Sequence, residues 1–365
     1  MLDRRTVLWG GGGAVLAGAV GAYAGVKDQG SMAAYEASVA ATRALLKRMP
    51  ETRELIRYAT LAANSHNSQP WRFDIERRAI TIFPDLTRRL SAVDPDDHHL
   101  FASLGCAAEN LAIAAGESGM PGTLIFDPKN AGSLSFVFGG SAVDERALFD
   151  AIPKRQSTRG LYDGRPIDGS DLAALANSAA MPGVDLVLIT GRLQMDRIRD
   201  LVISGNSTQM ADPVFMRELK TWLRFSPRRA METGSGLFGP TAGNPALPEW
   251  LGRAMLGFVF DADAENDKYR RQIASSAGIA VFVSQKDDPS HWVLAGRACQ
   301  RFALKATAMG MKHAFINQPV EVPSLRPVLA ALIGMPGRRP DIVIRFGYGP
   351  LLTYSARRPV EAVLA

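Results

Sequence analysis

The sequence predicts an α+β protein made of two similar halves. Three observations support that prediction. Helix-like runs alternate with short β-branched runs, segments around two long helices repeat at one offset, and the two copies have lost different polar motifs. With 365 residues, 47% of them hydrophobic, the chain can bury a sizeable core. Its net charge of +6 is scattered, with no basic run laced with aromatics, which argues against a nucleic-acid partner.

The N-terminus reads as an export leader. Arg4-Arg5 precede an uncharged, Gly/Ala-rich run over residues 6–26, and Ala22-Tyr23-Ala24 offers a small-x-small cleavage site. Paired arginines before a weakly hydrophobic run point to the twin-arginine export machinery and a periplasmic or exported location. The alternative is an uncleaved membrane anchor, since about twenty apolar residues can span a bilayer. The four glycines at 10–13 follow no strand, so they are not read as a nucleotide loop.

Residues 29–50 are Ala-rich with helical spacing, and a second helix is expected over 51–62. Strands follow at 71–75 and 79–83, the second rich in β-branched residues. Asp94-Pro95-Asp96-Asp97 should cap a helix over 98–118, stopped by Gly119 and Pro121. Strands near 123–126 and 134–138 and a helix over 145–152 close the first half. In the second half, a helix over 170–177 leads to a strand at 184–189. Residues 200–260 read as mostly helical, with a Gly/Pro-rich break at 233–248 taken as a long flexible connection. A strand at 277–283, a helix over 291–309, a strand at 312–316 and a strand at 341–348 complete the chain. The divisions are thus a leader over 1–26, a first half over 40–152, and a second half over 153–365 with a lid-like connection near 225–251.

Gly105 pairs with Gly296, Leu111 with Phe302, Ala115 with Ala306, and Gly119-Met120 with Gly310-Met311, all 191 residues apart. Ala63-Asn64-Ser65 likewise has a partner in Ala176-Asn177-Ser178, each closing a helix before a strand. Only the first copy goes on to Asn67-x-Gln69-Pro70-Trp71, and only the second has Arg155-x-Ser157-x-Arg159 upstream. Residues 42–46 occupy the place of the arginines in the first copy. A complete set of polar groups therefore needs one contribution from each half.

Those motifs, with the ending Gly347-Tyr348 … Arg357-Arg358-Pro359, resemble the nitroreductase family of FMN flavoproteins. A fused, degenerate tandem copy behind a twin-arginine leader resembles its Acg-type subfamily, one chain imitating the family's dimer. The resemblance implies a nitroreductase-like fold, a monomer, one FMN, and a small-molecule substrate reduced through flavin N5, with NAD(P)H as an electron donor left open. It places Arg155 and Ser157 on the FMN phosphate with Arg357 or Arg358 helping, and Arg159 near the N1 and O2 edge. Asn64, Ser65 and Asn67 would bond the ring or ribityl chain from the other half. The family's segment that places backbone N–H groups near N5 corresponds loosely to Ile316-Asn317-Gln318-Pro319. No catalytic side chain is implied, because the cofactor carries the chemistry. The alternative function is a non-catalytic FMN-binding or FMN-sequestering protein.

Other groups read as structural. Asp94, Asp96, Asp97, His98 and His99 look like a metal cluster, but their place before a long helix favours capping, and no metal is expected. His66, His291 and His313 are isolated histidines. Cys106 and Cys299 lie in apolar helices, where buried inert thiols are usual. Trp222, Trp250 and Trp292 are expected to pack.

Overall fold

Apolar residues at helical spacing, and β-branched runs between them, become a repeated helix–sheet unit in the computed structural model. It describes residues 29–365 apart from 48, 142 and 260, so the expected leader lies outside the described residues. Among the described residues no helix is long and apolar enough to cross a membrane.

The chain begins with α1 (Met32–Ala44) and α2 (Thr52–Thr60). Strands β1 (Trp71–Ile75) and β2 (Ala79–Pro84) form a hairpin with Phe73 opposite Ile82. The long α3 (His98–Glu117) follows, then β3 (Gly122–Asp127), β4 (Ser133–Phe138) and α4 (Arg146–Ala151). These strands make an antiparallel sheet in the order β1-β2-β4-β3. Trp71, Phe73, Ile80 and Ile82 point into a core shared with α2 and α3.

The second copy repeats this plan with insertions. Helix α5 (Gly169–Ala179) leads to β5 (Val184–Ile189). Five helices then intervene: α6 (Arg192–Ala211), α7 (Pro213–Trp222), α8 (Pro227–Thr233), α9 (Glu249–Val259) and α10 (Ala262–Ala274). Between them β6 (Leu223–Arg224) and β7 (Leu237–Phe238) pair in parallel. The copy resumes with β8 (Gly278–Ser284), the long α11 (Pro289–Ala308) and β9 (Lys312–Phe315). Short helices α12 (Gln318–Glu321) and α13 (Arg326–Leu332) precede β10 (Pro340–Gly347). The sheet order β5-β8-β10-β9 is that of the first copy, position for position. Strands β8 and β10 are buried along their whole length because helices cover both faces.

The copies meet where α3 crosses α11, and the 191-residue offset appears there in space. A Cβ on Gly105 would lie 2.1 Å from the Val293 carbonyl oxygen, and one on Gly296 would lie 1.9 Å from that of Ala102. Those contacts are related by the same offset, so the glycines mark a pseudo-twofold crossing that no larger side chain permits. Polar ties flank it. Gln300 Nε2 donates to Asn110 Oδ1 at 2.7 Å, and Glu109 pairs with Arg297 and Arg301, both at 2.7 Å. This is the expected arrangement of two fused, degenerate copies.

Two details differ from the sequence reading. Asn177 and Ser178 lie inside the last turn of α5, whereas Asn64 and Ser65 follow the end of α2. The final residues also leave the second half. Phe73 N donates to Val363 O (2.7 Å) and Ala365 N to Phe73 O (2.8 Å), which covers the free edge of β1.

Candidate anion-binding cleft

The loop after α2 is tightly constrained. His66, Asn67 and Gln69 all have positive φ (50°, 51° and 53°), a left-handed conformation that costs non-glycine residues about 1–2 kcal/mol each. Side-chain hydrogen bonds offset this. Asn64 Oδ1 accepts from Gln69 N at 2.8 Å, and Asn67 Nδ2 donates to the carbonyls of Gly236 and Ala356, both at 3.2 Å. Gln69 is fully buried; it donates to Gly234 O (2.7 Å) and accepts from Arg358 N (2.9 Å). Ser65 N donates to Ser103 Oγ at 3.4 Å.

The arginine segment sits opposite, just after the turn Ile152–Lys154. Its backbone is fixed by Thr158 N donating to His313 O (2.8 Å) and by Arg345 on β10. Arg345 is fully buried, donates to the carbonyls of Thr158 (3.2 Å) and Gly160 (2.7 Å), and lies 4.1 Å over the Tyr162 ring. Gln156 pairs its side-chain amide with both backbone groups of Leu352 at 2.8 Å, tying in the C-terminal strap.

Arg155 is the outlier. It is only 4% exposed, yet among the described residues its side chain makes a single hydrogen bond, Nη2 to Leu61 O at 2.9 Å, and its Nε and Nη1 have no partner. Burial, with a contribution from Arg43, pushes its pKa down to about 10. Arg357 donates to the carbonyls of Thr60 (2.8 Å), Leu61 (3.4 Å) and Ala62 (3.3 Å), closing the C-terminal end of α2, and to Asn67 Oδ1 at 2.8 Å. Burial, then Arg155 and Arg43, lower it to about 9. Arg159 is lowered by burial and has no side-chain hydrogen bond or ion pair among the described residues.

These groups line one cleft between the halves. Asn64, Asn67 and Arg43 come from the first copy; Arg155, Ser157, Arg159 and Arg357 come from the second. Leu237 and Thr241 of the inserted segment close one side. None of the four arginines has a carboxylate partner among the described residues. Buried guanidinium forks with free N–H groups fit a phosphate-bearing ligand.

Two expected site residues lie elsewhere. Ser65 does not line the cleft. Arg358 points away, contacting Asp85 at 3.8 Å and the carbonyls of Gln69 (3.5 Å) and Ala362. The Gly/Pro-rich stretch 233–248, expected as a flexible connection, carries β7 and the turn Gly239–Ala242. Gly236, at φ +90°, donates to Asn67 O, and a Cβ there would lie 2.4 Å from Trp222 O. Sequence reasoning missed Arg43 and Arg345. A charge inside Ile342-Val343-Ile344-Arg345-Phe346 was a readable signal for Arg345. Arg43 lies within residues 42–46, the place the repeat gives to the arginines in the first copy, and that was its readable signal.

The remaining candidates lie outside the cleft. Asp94 caps α3, accepting from His99 N and Leu100 N at 2.9 Å each. The three buried side chains Asp94, His98 and His99 are close enough to share an ion. His98 Nε2 is nevertheless bonded to Asp341 Oδ1 (2.9 Å) and His99 Nε2 to Asp341 O (3.2 Å). Cys106 and Cys299 are both buried free thiols, and burial raises both pKa values. His313 and His66 are pushed down to about 3 and about 4, in both cases chiefly by burial.

A Mycobacterium tuberculosis protein provisionally named an NAD(P)H nitroreductase is 28% identical over 308 residues, 82% of this chain and 85% of that one. The Acg protein of the same organism, also provisionally named an NAD(P)H nitroreductase, is 22% identical over 332 residues, covering 86% of this chain and 97% of that one. The chain is thus similar to provisionally named nitroreductases, Acg among them. No family-wide sequence profile matches it. Among solved structures, a Bacteroides fragilis nitroreductase with bound FMN aligns to 59% of this chain and 96% of its own, at 14% identity and TM-score 0.36. An FMN-dependent nitroreductase of Mycobacterium smegmatis in complex with NADPH covers 56% and 88%, at 14% identity and TM-score 0.38.

Proposed function

We propose that the chain is an FMN-dependent oxidoreductase that binds one FMN in the cleft between its halves, as a monomer. In this reading NAD(P)H is the donor and a small organic molecule the acceptor. The observation that carries it is Arg155, buried with two unpartnered guanidinium nitrogens beside Ser157 and Arg357. A buried unpaired cation is costly, so the site fits a ligand that brings a fixed anion. Arg155, Ser157 and Arg357 would hold the phosphate. Arg159 lacks an ion-pair partner among the described residues and is available to offset negative charge on the ring. Bound FMN supplies the electron transfer. Asn64 and Asn67 shape the wall chiefly by holding the loop, since their amides already bond backbone carbonyls, Gln69 and Arg357.

The test is an absorbance spectrum of purified protein, then anaerobic NADPH addition. A yellow protein that bleaches supports the enzyme. One that stays yellow supports the second reading, flavin storage without turnover, which the docked segment at Leu237 and Thr241 favours. A colourless protein that FMN cannot reconstitute sinks both. Export through the twin-arginine route remains part of the proposal; cell fractionation of an Arg4→Lys, Arg5→Lys double variant tests it, and normal export would reject it.

A further inference from the structure

We infer that α1, the first described helix after the expected leader, is a working part of the cleft. Arg43 is a further phosphate-binding residue, and Tyr35 holds the strap that carries Arg357. This rests on the FMN reading above.

Arg43 lines the cleft with Arg155 and Arg357, although it comes from a helix outside either sheet. Its guanidinium lies 4.1 Å over the Tyr354 ring, and Nε donates to Pro153 O at 3.1 Å, two residues before Arg155. Those contacts orient the fork while leaving Nη2 without a hydrogen bond, and no carboxylate pairs with Arg43 among the described residues. A fixed, planar, unpaired guanidinium next to two others suits an anion carrying two charges.

Tyr35 is fully buried, and its hydroxyl bridges the strap, donating to Tyr354 O and accepting from Ala356 N, both at 2.9 Å. Its ring packs 4.6 Å from Phe238, the neighbour of Leu237. Arg228 N also donates to Gln29 O at 2.9 Å, so the same N-terminal stretch holds the inserted segment. Helix α1 thus touches the segment before Arg155, the strap before Arg357 and the wall at Leu237.

The experiment compares FMN with riboflavin, which has the same ring and ribityl chain but no phosphate. Affinities are measured by flavin fluorescence on apo-protein for wild type, Arg43→Met, Arg43→Lys, Tyr35→Phe and Arg155→Ala. Arg43→Met should weaken FMN about tenfold and leave riboflavin unchanged, with Arg43→Lys in between. Tyr35→Phe keeps the packing on Phe238 and should weaken FMN a few-fold, again without affecting riboflavin. If Arg155→Ala is phosphate-selective while the Arg43 variants change neither flavin, or both equally, the role of Arg43 is overturned and the cofactor reading stands. Wild type that binds no FMN overturns both. Should Arg43→Met fail to fold, Arg43→Lys decides by the same ratio.

Discussion

The two copies agree at their crossing and disagree at their helix-to-strand turns. At the crossing, Gly105 faces Val293 as Gly296 faces Ala102, and one copy could stand in for the other. At the turns, residues 61–70 form a loop with three left-handed residues anchored to the C-terminal strap. The second copy has only a short turn, closed by Val184 N donating to Met181 O at 3.0 Å. Each half needs the other's helix to bury its core, which preserves symmetry where the halves pack. A ligand between them needs one polar loop and one set of arginines, so nothing holds the second set in place.

The largest way to break this comparison is at the symmetric element. Gly296→Leu puts a Cβ on the Ala102 carbonyl, and overpacking against backbone should cost about 4 kcal/mol or more. Thermal denaturation should show a grossly destabilised or insoluble protein; a near-wild-type Tm would mean that the halves are not locked at this point. Next, Arg155→Ala should weaken FMN by about 1.5–3 kcal/mol, tenfold or more, in a binding titration. Unchanged flavin retention would count against the cleft.

One histidine in each copy, half-buried His66 in the first and fully buried His313 in the second, has its pKa lowered chiefly by burial. Their folded pKa values, about 4 and about 3, lie below the ordinary 6.5. As pH falls the unfolded chain takes up these protons first, so the stabilisation present above about 6.5 is lost as pH drops toward those values. The slope should be up to about 1.4 kcal/mol per pH unit per group. Urea midpoints between pH 7 and 5 should fall, and His313→Phe should flatten the slope; an unchanged slope would show that His313 takes no part. The smallest effect sharpens the asymmetry. Asn67→Ala loses bonds to Gly236, Ala356 and Arg357 and should cost about 1–2 kcal/mol. Asn177→Ala, at an exposed position in α5, should cost under about 0.5 kcal/mol. Equal losses would mean that the turns are not functionally distinct.

Periodicity was enough to read the elements and the tandem plan. Strand Trp71–Ile75 and helix His98–Glu117 lie where alternation and the Asp94 cap place them, because those signals are local. The offset of 191 was visible because packing constrains both glycines equally. The stretch 233–248 reads as flexible from composition, which does not distinguish loose glycine from glycine required by close approach, as at Gly236. Which groups face the cleft was only half legible. Arg357 and Arg358 are neighbours in sequence, but successive side chains on an extended strap point to opposite sides, so one lines the cleft and the other pairs with Asp85. Asn67 looked like a ligand contact and is committed to the carbonyls of Gly236 and Ala356, since an amide bonds whichever group the fold brings within 3 Å or so. What the sequence determined by itself was the repeated plan and the residue types that one site would need. Only the tertiary structure decided which arginines were left buried without partners, because that depends on every carboxylate and carbonyl the folded chain brings near or keeps away.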